Sequence, residues 1–173
     1  VRGAADPDLD AVSDAARKAA WFEENAIFKG LDDACIKGIV QDSPHKAIKL
    51  PDDPGKMTAI TEEAMVTLEK AGVGGPFALV LDAKNFQAVM AGDDKGYPLR
   101  KRIEELAQGG IHWSPAVSGG ALLSQRGGDF ELLVGVDFSI GYHHSTAKKV
   151  ERYLTESLTF RVLEPAAAIA LNA

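Results

Sequence analysis

The sequence predicts an α+β fold, and three observations carry that expectation. Helical periodicity dominates the chain as far as Gly110. Strand-like runs separated by glycine pairs or polar breaks fill the rest. One buried strand, in "PFALVLD" (76–82), interrupts the helices, so the elements segregate instead of alternating as in a wound α/β sheet.

Taken in order, Leu9, Val12, Ala16, Ala19, Ala20, Phe22, Ala26 and Ile27 recur near helical spacing, with Asp8 as N-cap and Gly30 as the stop. This reads as a helix of about five turns. Residues 31–56 have no sustained period and carry Gly38, Pro44, Pro51, Pro54 and Gly55, so a loop is expected, with a short hairpin around Ala47 to Leu50. A second helix runs from Thr58 to Ala71, with Ile60, Ala64 and Leu68 on one face and Gly72 ending it. The strand at Pro76 to Asp82 is apolar on both faces, as a buried strand requires. A short helix (Ala83 to Met90), an exposed polar loop "AGDDKGYP" (91–98) and a helix from Leu99 to Ala107 follow.

Beyond residue 110, "IHWSPAV", "ALLSQ", "FELLVGVDFSIGY" and "YLTESLTFRVL" read as strands. In the last, Leu154, Leu158, Phe160 and Val162 alternate with Tyr153, Thr155, Ser157, Thr159 and Arg161. "KKVERYLTE" also satisfies a helical period, which leaves the start of that strand open.

Composition excludes several functions. The 173 residues suffice for one domain or two small ones, and 46% hydrophobic with 25% charged residues is an ordinary globular balance. A net charge of −6 argues against bulk nucleic-acid binding. No apolar run approaches the roughly 20 residues that span a bilayer, so no membrane partner is expected. The single cysteine, Cys35, excludes an intramolecular disulfide and fits a reducing cytoplasm. The chain opens at Val1 with no initiator Met and no basic-then-apolar leader, and its first residues read as a loop running into a helix.

No catalytic or metal constellation emerges, so neither an enzyme nor a cofactor is expected. "AGVGGP" (71–76) follows a helix and precedes a strand, the reverse of the order that sets a phosphate on a helix N-terminus. His143 and His144 are adjacent on a strand and point to opposite faces, while His45 and His112 lie far away. Asp137, Ser139 and His143 share one strand, which cannot fold back into a triad, and no Gly-x-Ser-x-Gly elbow occurs. Glu23 and Glu24 are neighbours on a helix and diverge in direction. Cys35 lies beside Ile36 in a loop, and a structural thiol is expected there rather than a reactive one.

Several longer stretches carry a family resemblance. "RGGDFELLVGVDFSIGY" followed by "VERYLTESLTFRVLEPAAAIAL" resembles the C-terminal signature of the encapsulins, shell proteins once described as linocin-type bacteriocins. "GPFALVLDAKNF" and "GYPLRKRIEELAQGGIHWSPAV" are similar to the middle of that family, and "EENAIFKGLDDACIKGIV" to its first long helix and the loop after it. The likeness runs in order over nearly the whole chain. It implies the phage-capsid fold of the Hong Kong 97 type and self-assembly into an icosahedral compartment around a cargo enzyme. The usual cargoes are a dye-decolourising peroxidase or a ferritin-like iron-storage protein, and the expected location is the cytoplasm of a prokaryote. Rival readings are a phage major capsid protein and, less favoured, a bacteriocin- or protease-like hydrolase.

The resemblance further implies a division of the chain. Residues 1–56 (long helix and loop) and 125–173 (strands and C-terminus) would form a P domain, and 57–124 an A domain. The family's N-terminal helix and extended E-loop, about the first third, have no counterpart here. Asp93, Asp94, Lys95, Gly96 and Tyr97 would line a pore, with Tyr97 and Pro98 anchoring the loop base. Asp137, Phe138, Ile140 and Tyr142 would hold the cargo's targeting peptide, with Phe138 and Ile140 facing away from Asp137 and Ser139.

Overall fold

The computed structural model describes residues 8–172. Helix α1 (Asp10–Lys29) begins beside Asp8, whose carboxylate accepts the Asp10 N–H at 3.0 Å, and ends at Gly30. Gly30 takes φ 84°, and a side chain on it or on Gly38 would run into the other's backbone. That close approach brings the 31–42 loop against the end of α1, with Ile39 and Val40 N–H groups donating to the Ile27 and Phe28 carbonyls.

The expected hairpin near Ala47 is instead one short strand, β1 (Ile48–Lys49), whose partner comes from the far end of the chain. Helix α2 (Met57–Lys70) closes at Gly72, and Val73 N–H donates back to the Leu68 carbonyl at 3.0 Å, a helix stop as the glycine predicts. Strand β2 (Phe77–Leu81) is buried at every position. Asp82 then caps α3 (Ala83–Ala91) by accepting the Asn85 N–H at 2.9 Å.

The loop 91–98 is a minimal hairpin of β3 (Asp93–Asp94) and β4 (Tyr97–Pro98). Lys95 and Gly96 both take positive φ (53° and 83°), the requirement of a two-residue turn matched to strand twist. Helix α4 (Leu99–Ala107) leads into β5 (Gln108–Trp113), and β6 (Gly120–Ser124) follows. "IHWSPAV" therefore stops being strand at Trp113, before Ser114-Pro115.

Two long strands, β7 (Phe130–Ser145) and β8 (Val150–Val162), pair antiparallel with each other and form a sheet of their own. The start of "KKVERYLTE" is thus the tip turn of this ribbon and then strand. The last strand among the described residues is β9 (Ala168–Asn172), which sequence reasoning missed because "AAAIAL" has weak β propensity.

A mixed five-stranded sheet in the order β1-β9-β6-β2-β5 sits at the centre. β2 and β5 are parallel, joined by α3 and α4; β6 runs antiparallel between β2 and β9. Leu68, Leu79, Leu99, Ile103, Leu122 and Ile169 are fully buried between this sheet and α2 and α4. Each such side chain contributes about 1.5–3 kcal/mol by leaving water. A second cluster of Ile36, Ile39, Phe160 and Ala168 holds the base of the ribbon, with the Phe130 and Phe160 rings stacked at 6.5 Å. Within residues 125–173 the ribbon forms a sheet of its own, while β9 returns to the central sheet and pairs with β6.

Candidate functional site

A two-stranded ribbon has two open edges, and a sheet of this kind is marginal unless something covers it. This one is long and apolar on its surface. Val134, Val136, Phe138, Ile140, Val150 and Tyr153 are all exposed, and Tyr142 is 63% exposed. Most globular surfaces do not carry so continuous an apolar strip, which marks an interaction surface.

Helix α1 lies along part of the ribbon. Between them runs a groove of about 1140 Å³ whose walls include Leu9, Val12, Ala15, Ile140, Val150 and Leu154. Ile140 stands opposite Leu154 in the ladder, so this pair forms the strand side of the groove. The α1 side and the β8 residues were not singled out from sequence, although the alternation of Leu154 and Leu158 was visible there.

The ladder shifts register between Val134 and Val136, between Val136 and Ser139, and between Tyr142 and His144. Such bulges place two residues against one and break strict alternation. Asp137 and Phe138 sit within one of these shifts, so the expected separation of Phe138 and Ile140 from Asp137 and Ser139 does not hold as a simple period of two. Asp137 accepts the Phe138 N–H at 2.7 Å, and the Tyr142 hydroxyl pairs with that of Ser145 at 2.8 Å.

Carboxylates gather where α1 meets the middle of the ribbon. Burial, then the charges of Glu156, Glu24 and Asp137, push the Glu23 carboxyl above its ordinary value. Glu24 points elsewhere, accepting the Ser114 hydroxyl at 2.6 Å, as the divergence of adjacent helical positions predicts. Among the described residues, no salt bridge reaches Glu23, Glu24, Asp137 or Glu156. A carboxyl raised in the folded state contributes stability below its unfolded value, and that contribution is lost as pH rises through the raised value. Glu23→Gln is therefore expected to raise the denaturation midpoint at pH 7 and to leave it nearly unchanged at pH 4. Equal shifts at both pH values would show that like-charge repulsion at this position is not the cause.

The β3–β4 hairpin places the other expected residues. Asp93 accepts the Gly96 N–H at 3.0 Å and so fixes its own turn. Asp94 is paired with Arg102 of α4 at 3.1 Å. Lys95 is exposed at the tip. Tyr97 donates its hydroxyl to Glu105 at 2.7 Å, which with the Glu105 charge raises the phenol above its usual value, and Arg102 lies over the Tyr97 ring at 5.7 Å.

Elsewhere, His45 and His112 each bond a backbone carbonyl, of Ala166 and Gly109, and His143 borders the groove. Cys35 is exposed with φ 55°. Among the described residues, no group of three or more His, Cys, Asp or Glu side chains is placed to hold a metal ion, and no helix is long and apolar enough to cross a membrane.

Comparison with known proteins bears on the fold and the family. The chain is 46% identical over 172 residues to the type 1 encapsulin shell protein of Rhodospirillum rubrum, and 39% identical over 171 residues to that of Mycobacterium tuberculosis. Each alignment covers 99% of this chain but only 61% and 64% of those proteins, so the chain spans under two thirds of their length. A virus-like particle from Pyrococcus furiosus shares the fold at a TM-score of 0.73 and 16% identity, covering 95% of this chain and 68% of that one. Mycobacterium phage Che8 does so at 0.63 and 13%, covering 95% and 63%. The fold is thus α+β of the capsid type. Residues 1–159 match the family model described as encapsulating protein for peroxidase, and the chain belongs to that encapsulin family.

Proposed function

We propose that this chain is the shell-forming part of an encapsulin compartment, with a structural rather than a catalytic role. Copies associate into a closed icosahedral particle that encloses a cargo enzyme in the cytoplasm of a prokaryote. The observation that carries this reading is the isolated β7–β8 ribbon, with two open edges and an apolar surface that the described residues leave uncovered. Light scattering and negative-stain microscopy of purified protein test it. Residues 1–173 alone are expected to give monomers, small oligomers or imperfect particles, whereas protein of the relatives' full length is expected to give uniform hollow particles, and a monodisperse monomer of that length at micromolar concentration would refute the reading.

On this reading α1 and the ribbon form the P domain, and residues 57–124 with β9 form the A domain. The cargo, a peroxidase or a ferritin-like protein, is held through an extended targeting peptide lying along Asp137, Phe138, Ile140 and Tyr142, of which Ile140 lines the groove beside α1. Apolar pockets with an occasional hydrogen-bonding acid suit such a peptide.

The β3–β4 hairpin, with Asp93, Asp94, Lys95, Gly96 and Tyr97, borders a pore on the same reading. A ring of such hairpins focuses potential in a narrow mouth. Asp94 neutralises Arg102 across 3.1 Å, so losing its charge both removes an anion and exposes a cation. Asp93→Asn with Asp94→Asn is expected to slow entry of ferrous iron into assembled shells by several-fold. Stopped-flow uptake at the wild-type rate would remove the pore role.

A further inference from the structure

The β3–β4 hairpin is held from below by two side chains of α4. Its root closes where the Gly92 carbonyl accepts the Leu99 N–H at 3.1 Å. Leu99, Ile103 and Ala107 bury one face of α4 in the core. Arg102 and Glu105, three residues apart, share another face and reach the hairpin. Arg102 pairs with Asp94 at 3.1 Å and lies over the Tyr97 ring, and Glu105 accepts the Tyr97 hydroxyl at 2.7 Å. Asp94 and Tyr97 are cross-strand partners, so α4 holds the residue before the turn and the residue after it.

This clamp also decides which charge the hairpin presents. Asp93 commits one carboxylate oxygen to the Gly96 N–H, and Lys95 stands exposed at the tip. Counted together, Asp93, Asp94, Lys95, Arg102 and Glu105 leave a single negative charge in excess. Without the Arg102 cation that excess doubles. The Asp94 and Arg102 side chains keep 22% and 45% of their surfaces open to solvent. A pair so exposed adds little to stability. Its larger effect is on the field above the hairpin, because the guanidinium cancels the Asp94 carboxylate at short range.

We infer that Arg102 is a specificity-determining residue for passage through the mouth proposed above: by cancelling Asp94 it holds each hairpin at one excess negative charge, and so limits the preference for small cations over small anions. The inference rests on the pore reading and deepens it by naming the residue that sets selectivity. In a ring of hairpins the change recurs at every copy, and like potentials add in a narrow mouth.

Quenching of a dye on enclosed cargo tests it, with thallous ion as the cation and, separately, iodide as the anion. Each is followed by stopped flow in shells of protein of the relatives' full length. Arg102→Gln keeps the stem of the side chain and removes its charge. It is expected to speed thallous entry and slow iodide entry, shifting their ratio about tenfold at low salt. Arg102→Lys, which keeps a cation, is expected to stay within about twofold of wild type. Adding Asp94→Asn to Arg102→Gln restores the excess of one charge, and the ratio is expected to return to within about twofold of wild type. An unchanged ratio in Arg102→Gln, a rise or fall of both ions together, or a double variant that stays shifted would each overturn the inference while the pore reading stands. Entry of both ions at the wild-type rate in Asp93→Asn with Asp94→Asn removes the pore reading, and shells that never form remove the assembly reading, this inference going with either.

Discussion

Arg126→Ala is expected to lower the melting temperature by on the order of 10 °C. Asp129 is only 3% exposed, yet it carries a charge. Arg126 meets it with a forked pair of bonds, Nη2 at 2.7 Å and Nε at 3.1 Å, and sends its remaining arm to the Gly72 carbonyl at 3.0 Å. The Asp129 carbonyl in turn accepts the N–H groups of Leu163 and Glu164, where the ribbon ends. One residue thus ties the start of β7, the end of β8 and the turn after α2. Removing the guanidinium leaves the carboxylate buried without a partner, which is far more damaging than replacing both groups with neutral ones. Arg126→Ala with Asp129→Asn is accordingly expected to regain a large part of the lost stability. A double variant no better than the single one, measured by calorimetry, would show that geometry rather than the unpaired charge dominates.

The same turn shows what sequence could and could not reveal. Gly127-Gly128-Asp129 is legible as a tight turn, and the apolar runs on either side as strands. That Asp129 is buried and paired follows only from packing, since Asp after two glycines also suits an exposed turn. The helices were legible nearly to the residue because periodicity and stop glycines are local signals: Gly30 and Gly72 both end helices as read. β1 and β9 were not, because two residues of strand and an alanine-rich segment gain their order from each other and from β6, not from local propensity.

The candidate groove was half legible. Ile140 and the alternation in β8 could be read, but the bulges that set the facing of Asp137 and Phe138 could not, since a register shift depends on both strands. The cluster of carboxylates around Glu23 was seen only as two glutamates in a row on a helix. Its partners Asp137 and Glu156 lie more than a hundred residues further along the chain and meet Glu23 only through the fold.

Ile140→Asp is expected to leave the fold intact and to abolish cargo capture, if the groove between α1 and the ribbon holds the targeting peptide as proposed. Ile140 is 49% exposed, so a carboxylate there stays hydrated in the empty protein and has little effect on folding. A bound peptide would change that. The side chain lies with Leu9, Val12 and Leu154 on the groove wall, and the basic groups of the same groove are Lys148, Arg152 and His143 of the ribbon. Covering the new charge with apolar peptide removes its water, and Lys148 and Arg152 offset this only in part, so the cost is about 1–3 kcal/mol. That lowers a single-site affinity by about tenfold to a hundredfold. Capture by a shell multiplies weak single-site binding through many linked sites, so a loss of that size at every site compounds. Co-expression with a fluorescent protein bearing the cargo tail, followed by size exclusion, gives the readout. Fluorescence is expected to leave the particle peak while the particle itself remains. Particle-bound fluorescence at the wild-type level would mean that the peptide lies elsewhere, and loss of soluble protein would mean that Ile140 supports the fold more than its exposure implies. In the second case Ile140→Asn, which carries no charge, separates the two: it restores folding but still weakens capture if the groove is the site.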